Sequence, residues 1–313
     1  MQLTDNTRAF IEAEQYSTFI LQNLHDGLLP ETFYRNVSDF PAGETLNIKT
    51  VGSVTLQEAA EDTPLDYNPI ETGEITLRVT ESKGDAWYVT KKLREDGADI
   101  PALMAQRSVE STRAFQEEFE TFFLKTCNDA QTDADPNTIN GFAHRIASAE
   151  TNDIFALSHL VKMRLAFDKA NVPAEGRVFI CDPVVEATLN NKVTITHDVS
   201  PFGKMILEGG LASGQRMIMN LYGFDIMQSN RLPTGNFGDG TNTVTGAVAN
   251  IAMCILDDQT KPIMGVIRRM PAVEGEYNKD FRRDEFVVTS RYGMGAQRRD
   301  TLGVIITSAS NIE

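Results

Sequence analysis

Asp133-Ala-Asp135-Pro-Asn137 begins as a calcium-binding loop does, with oxygen-bearing side chains at its first, third and fifth positions. The sixth position of such a loop needs Gly for a sharp turn and here holds Thr138. The twelfth needs a bidentate Glu and holds His144. Calcium chemistry is excluded at that run. Gly235, Gly238 and Gly240 make no dinucleotide fingerprint, because no strand leads into a following helix there. A Gly-Lys-Ser or Gly-Lys-Thr phosphate loop is also absent. Cys127, Cys181 and Cys254 are odd in number, far apart, and lack zinc-site spacing. Cys181 and Cys254 lie in apolar runs, where a free thiol behaves as a small buried hydrophobe, and buried thiols are expected. His25, His144, His159 and His197 are scattered and read as structural or exposed. Glu117 and Glu118, adjacent on a helix, diverge and make a poor acid–base pair. Asn36-Val-Ser38 fits the glycosylation pattern without a secretory signal to give it meaning. These residues predict no catalytic machinery, no cofactor and no metal.

With no site chemistry to position, the elements themselves become the informative feature. The 313 residues are enough to bury roughly 75% of the unfolded surface, as one large domain or two smaller ones. Hydrophobic content of 41% and charged content of 23% are ordinary for a globular chain. No run reaches the roughly 18 apolar residues of a membrane span, so no membrane contact is expected. Met1 to Thr7 lack the basic start and apolar core of a signal peptide, which makes cytosolic synthesis the expectation.

Thr7 to Leu24 read as a helix with Phe10, Ile11, Phe19, Ile20 and Leu24 near one stripe, stopped by Asp26-Gly27. Leu28 to Arg35 read as an irregular link and Asn36 to Gly43 as a turn-rich stretch. Two strands follow, marked by Leu46, Ile48 and Thr50 and by Ile75, Leu77 and Val79. More than about 20 residues with Pro64 and Pro69 separate them, a length that is usually functional or disordered inside a compact domain. Asp99-Ile100-Pro101 opens a long helix to about Asn128, on the order of 40 Å. Its apolar edge is Met104, Ser108, Thr112, Phe115, Phe119 and Phe122 or Phe123, with Glu110, Glu117, Glu118 and Glu120 expected to face away. A second helix is predicted over Asn152 to Lys169, and loops over Gln131 to Gly141, Ser200 to Gln215 and Thr234 to Gly246. Strands are predicted over Ala247 to Leu256, Phe286 to Tyr292 and Leu302 to Thr307.

Charge is spread unevenly. The net charge is −15, which would repel nucleic acid from the chain as a whole. From residue 260 onward nine Lys and Arg face seven acids, a local net of +2 that leaves −17 on the rest. From Thr50 through Leu77 there is no Lys or Arg, while Glu58, Glu61, Asp62, Asp66, Glu71 and Glu74 are acidic. The arginine pairs Arg268-Arg269, Arg282-Arg283 and Arg298-Arg299 lie in the basic end. Scattered surface ion pairs and a steering of subunits into register both fit this pattern.

Two phrases carry a resemblance. Val172-Pro-Ala-Glu-Gly-Arg-Val-Phe-Ile-Cys-Asp-Pro-Val-Val-Glu-Ala-Thr-Leu is a turn, a buried strand over Arg177 to Cys181, and a helix that Asp182 can cap with Pro183 at its first position. Gly223-Phe-Asp-Ile-Met-Gln-Ser-Asn-Arg-Leu-Pro233 is a short strand led in by Gly and stopped by Pro. Together with Leu28-Leu-Pro-Glu-Thr-Phe-Tyr-Arg-Asn-Val and Gly43-Glu-Thr-Leu, they make the chain resemble tailed-phage major capsid proteins of the Hong Kong 97-like kind. The resemblance implies an α+β fold in ordered parts. These are an N-terminal arm over 1–42, an extended loop over 43–84, a peripheral domain with its long spine helix over 85–150, an axial domain over 151–256 and return strands over 257–313.

It also implies a shell protein, not an enzyme, that assembles with itself as hexamers and pentamers of an icosahedral head. That head would enclose double-stranded DNA without sequence-specific binding, with portal, scaffolding and decoration proteins as partners. Its location would be the virion, after synthesis in the host bacterial cytoplasm. An arm that starts at residue 1 implies either a removed scaffolding segment or a separate scaffolding protein. Glu58, Glu61, Asp62 and Asp66 in the loop and Arg282, Arg283, Arg298 and Arg299 in the return strands are the candidate contacts between subunits. An encapsulin-like nanocompartment shell is the alternative within the fold. An enzyme whose site forms only between subunits is the alternative from another class, and it would need a convergent cluster of His, Cys or carboxylates.

Overall fold

The computed structural model describes residues 33–37, 43, 45–52, 58, 72–96, 100–131, 135–196 and 217–312. The expected helix over Thr7 to Leu24, His25, His197, the loop over Ser200 to Gln215 and most of the acid-only loop lie outside them. In chain order the strands and helices begin with β1 (Arg35–Asn36), β2 (Thr45–Val51), β3 (Thr72–Arg78), β4 (Glu81–Thr90), α1 (Lys91–Asp96) and α2 (Ile100–Ala130). Next come β5 (Thr138–Ile139), β6 (Phe142–Ala143), β7 (Arg145–Ala147), α3 (Leu157–Lys169), β8 (Arg177–Cys181) and α4 (Pro183–Thr196). The chain continues through β9 (Met217–Leu221), β10 (Phe224–Gln228), β11 (Thr234–Gly238), β12 (Thr243–Cys254), β13 (Ile263–Asn278), β14 (Arg283–Ala296) and β15 (Leu302–Ser308).

These strands form two main sheets. The smaller has the order β1-β13-β14-β4, with β1 parallel to β13 and the rest antiparallel. The larger runs β7-β15-β12-β8-β10-β9, with β11 added on β12. Strand β8 is buried at every residue, as a central strand covered on both faces must be, so it reads as an unbroken apolar run. One of its faces packs under α3 and α4 through Leu160, Met163, Phe167, Val185 and Leu189. Val178 and Ile180, on the other face, meet Phe119, Phe123 and Leu124 of α2. Asp182 caps α4 as its sequence requires: its Oδ2 accepts the Val184 amide at 3.0 Å, just past Pro183.

Helix α2, 31 residues long and so about 46 Å, is the element that joins the two sheets. Its first half lays Met104 and Phe115 on Val89, Val273, Phe286 and Val288 of the smaller sheet. The expected apolar edge is the buried one, with Ser108, Thr112, Phe119 and Phe123 also out of solvent. At its end the helix is tied by a buried polar knot. The fully buried Arg145 donates from Nε to the Gly238 carbonyl at 2.6 Å and from NH1 to Asn128 Oδ1 and the Gln131 carbonyl, each at 3.1 Å. Gln131 in turn donates to the carbonyls of Arg299 and Leu302.

Several sequence expectations shift here. Thr234 to Gly246 is not a loop; it holds β11 and the start of β12, with Asp239 accepting the Thr241 and Asn242 amides in the turn. Residues 151–153 form a separate short turn with positive φ at Asn152 and Asp153, so α3 starts at Leu157, not at Asn152. The long strands β4 and β13 were not legible at all. Leu302–Ser308, grouped in sequence with the return strands, pairs with β12 in the larger sheet. Glu120 does not face away from the core but accepts hydrogen bonds from Ser229 and Arg231.

Candidate functional site

Among the described residues, the cysteines and histidines singled out in the sequence are buried. Cys127, Cys181 and Cys254 are free and buried, and burial pushes the thiols of Cys127 and Cys181 far up, keeping them protonated. His144 stacks on Phe167 inside the larger core and His159 packs edge-on against Phe155. Glu117 and Glu118 diverge as their adjacency dictates. Glu117 pairs with Arg113 and Arg231, which hold its carboxyl below the usual range, while Glu118 pairs with Lys83 at 2.7 Å. Among the described residues no group of three or more His, Cys, Asp or Glu could hold a metal.

What the surface does offer is a groove where α1 meets the tip of the β13–β14 hairpin. It holds about 670 Å³ and is lined by Thr90, Lys91, Lys92, Glu95, Tyr277, Lys279, Phe281 and Arg282. The turn that makes it is fixed locally. The Asn278 side chain accepts the amides of Asp280 and Phe281, and Arg282 adopts a φ of 52°. The Lys91 amide donates to the Arg282 carbonyl at 3.0 Å, and Arg94 pairs with the buried Asp284 at 2.7 Å. These two links lock the start of α1 onto the hairpin. Burial raises the Asp284 carboxyl, and Arg94 offsets that rise only in part. Beside the groove, the Arg283 guanidinium is held by Glu285 at 2.6 Å and lies between the rings of Tyr88 and Phe281, at 4.5 and 4.7 Å from their centroids. Those rings are 58% and 66% exposed.

The candidate arginines therefore do not gather in one place. Arg282 and Arg283 stand at the hairpin tip, and Arg298 and Arg299 at the other end of β14, a strand of 14 residues and so about 45 Å long. Arg298 is exposed and 3.6 Å from Asp300, and the Arg299 carbonyl is taken by Gln131. Of the acidic candidates Glu58 is exposed, while Glu61, Asp62 and Asp66 lie outside the described residues. Sequence reasoning missed Lys91, Lys92 and Lys279. The signal was present in the Lys91-Lys92 pair and in Asn278-Lys279-Asp280, a turn between two alternating runs.

A second junction was also missed. Arg231 reaches from the segment after β10 to Glu120 at 2.8 Å and to Glu117 at 2.9 Å, and Ser229 donates to Glu120 at 2.6 Å. This clamp fixes the middle of α2 to the larger sheet.

Comparison with known proteins bears on what such surfaces are for. The profile of the family described as phage capsid protein matches residues 73–307. No curated protein matches the sequence. Among solved structures, the chain is similar to the capsid of cyanophage P-SCSP1u, with a TM-score of 0.68 and 18% identity over 90% of this chain and 89% of that one. It is similar to the mature capsid of bacteriophage PhiM1, with a TM-score of 0.66 and 14% identity over 89% and 86%. It also matches the virus-like particle from Pyrococcus furiosus, with a TM-score of 0.51 and 10% identity over 94% and 98%. At these identities the likeness is one of fold.

Proposed function

This chain belongs to the phage capsid protein family, a family of structural shell proteins and not of enzymes, and from that premise we propose that it is the major subunit of an icosahedral tailed-phage head. The fold is the α+β, Hong Kong 97-like one. Copies assemble with one another, as hexamers and pentamers, into a closed shell that encloses double-stranded DNA without reading its sequence. The net charge of −15 suits a container that does not stick to its contents. Portal, scaffolding and decoration proteins are its further partners, and the virion is its destination after synthesis in the bacterial host.

One observation supports this reading most: β2 and β3 pair only with each other among the described strands. A two-stranded ribbon is marginal by itself. Here it extends past the small cluster of Leu77, Val79, Met264 and Val266 that seats its root. Beyond that cluster the ribbon finds no other strand among the described residues, and another chain would supply the burial, as in large obligate interfaces. We assign it, with residues 43–84, as the loop that lies on an adjoining subunit, and residues 1–42 as the arm. Sedimentation of the purified full-length chain tests the assignment: large uniform particles are expected, and a monomer at every concentration would contradict it. Nucleic-acid content of the particles separates a phage head from a nanocompartment shell.

A further inference from the structure

We propose that Asn140 is a site of spontaneous, irreversible modification. The Gly141 amide nitrogen closes on the Asn140 carboxamide, and the product, aspartate or isoaspartate, unlatches the β5–β6 hairpin from the end of α3. This chemistry is independent of the shell reading and needs only the folded subunit.

Thr138 pairs with Ala143 and Ile139 with Phe142, so Asn140-Gly141 is a two-residue hairpin loop. Both loop residues have positive φ, 51° and 83°, as in the type I′ turn that Asn-Gly favours. It is the only Asn-Gly step in the 313 residues. Such a step is also where a backbone nitrogen most readily attacks an asparagine side chain, because glycine has no Cβ to crowd the approach. The fold adds no crowding of its own. Both residues are exposed, and a Cβ placed on Gly141 would meet no atom within 4 Å.

The same carboxamide has a structural task. The last carbonyls of a helix have no partner within it. At the end of α3 those of Ala166, Phe167 and Asp168 accept the amides of Ala170, Val172 and Asn171. The Lys169 carbonyl accepts instead from Asn140 Nδ2, at 2.8 Å. In return the Lys169 ammonium lies over the Phe142 ring, 5.9 Å from its centroid. Among the described strands β5 and β6 pair only with each other, and so short a hairpin is marginal alone. A carboxylate at position 140 has no proton to donate and faces a carbonyl at the negative pole of the helix.

The atoms balance with water alone. Solvent base takes the Gly141 amide proton and the nitrogen bonds to Asn140 Cγ. The Cγ–Nδ2 bond then breaks, releasing ammonia, which takes a proton from water. Water next opens the cyclic imide. Breaking the new N–Cγ bond gives aspartate. Breaking the Asn140–Gly141 peptide bond gives isoaspartate, which reroutes the chain through the side chain and puts an extra backbone carbon in the turn. Closure requires the carboxamide to leave Lys169, so the rate reads local opening of the latch.

The test ages the full-length chain at neutral and at mildly alkaline pH and maps it by mass spectrometry. The tryptic peptide from Thr126 to Arg145 carries Asn128 and Asn137 as internal controls. Expected are the mass gain of deamidation at residue 140, a share of it labelled by an isoaspartate methyltransferase, and a rate that rises with pH. Asn128 and Asn137 should show no gain. Chain unfolded in urea should react faster at residue 140 than folded chain. Asn140→Gly removes the latch alone and Asn140→Asp adds the charge, and the turn accepts either residue. Hydrogen exchange at the hairpin and the last turn of α3 should quicken in the first and more so in the second, with β8 and β12 unchanged. A folded chain that stays unmodified at residue 140 while the unfolded chain reacts overturns the proposal. So does equal reactivity at the three asparagines, or exchange in Asn140→Asp that matches the wild type.

Discussion

Gly293 lies flat against the peptide group that joins Arg78 to Val79: a Cβ placed on it would overlap the Arg78 carbonyl and stand 2.7 Å from the Val79 Cα. At this point the end of β3 crosses β14 in direct backbone contact, and the β2–β3 ribbon is seated on the smaller sheet. Gly295 is the neighbouring contact, where a Cβ would meet the flexible Leu77 Cδ1 at 3.0 Å.

The two glycines should respond differently. Gly293→Ala faces an immovable backbone and should lose about 1–3 kcal/mol, the usual range for overpacking. Gly295→Ala should cost less, because the end of the Leu77 side chain can rotate away. Urea denaturation gives the magnitudes, and faster hydrogen exchange confined to residues 72–79 in the Gly293 variant would locate the damage. Equal losses for the two would show that the crossing is not the constraint.

The aromatic edge of α2 should dominate subunit stability. Phe115, Phe119 and Phe123 are all buried, and Phe123 is wholly so. Each Phe→Ala change should cost roughly 3–5 kcal/mol and prevent assembly by unfolding the subunit. A denaturation series with losses near zero would place that edge in solvent.

The Arg231 clamp should matter less and depend on salt. Arg231 and Glu117 are both more than a third exposed at their side chains, so solvent screens much of the attraction. Arg231→Ala should cost about 1 kcal/mol, and the difference from wild type should shrink in high salt. A loss that salt leaves unchanged would mean that packing of the Arg231 stem, not charge, carries the effect.

His144 should make the subunit weaken in acid. Burial holds its pKa below the ordinary imidazole value of 6.5, although Asp300 and the Phe142 carbonyl pull the other way. Below about pH 6.5 the unfolded chain binds a proton that the folded one refuses, so stability falls with pH until the folded group itself protonates. His144→Gln should flatten the stability profile between neutral pH and about pH 5 relative to wild type. Parallel profiles would assign the acid sensitivity to carboxylates.

Much of the fold was legible where one physical signal governs a whole element. Strand β8 reads as a buried run because both its faces are covered. Helix α2 shows its stripe because one side rests on sheets from Met104 to Ala130. Strand β13 hid for the opposite reason. Register shifts around Arg269 and Ala272, with Pro271 between them, break the alternation that marks a strand. Strand β4 alternates, but its outward residues are Ser82, Gly84, Ala86 and the large Tyr88, and its inward ones include Lys83 and Asp85, so the alternation is not one of hydrophobicity. The groove was only half visible: Arg282 stood out as one of an arginine pair, but Lys91 and Lys92 meet it only through the folding of α1 onto a hairpin far later in the chain, where the Lys91 amide reaches the Arg282 carbonyl.

Electron cryomicroscopy of particles purified from the expressed full-length chain tests the central claim most directly. The account predicts closed icosahedral shells whose density resolves fivefold and sixfold rings of this subunit, with the β2–β3 ribbon of each copy lying on its neighbour. Small open oligomers or monomers, with no closed particle across a range of protein and salt concentrations, would contradict it.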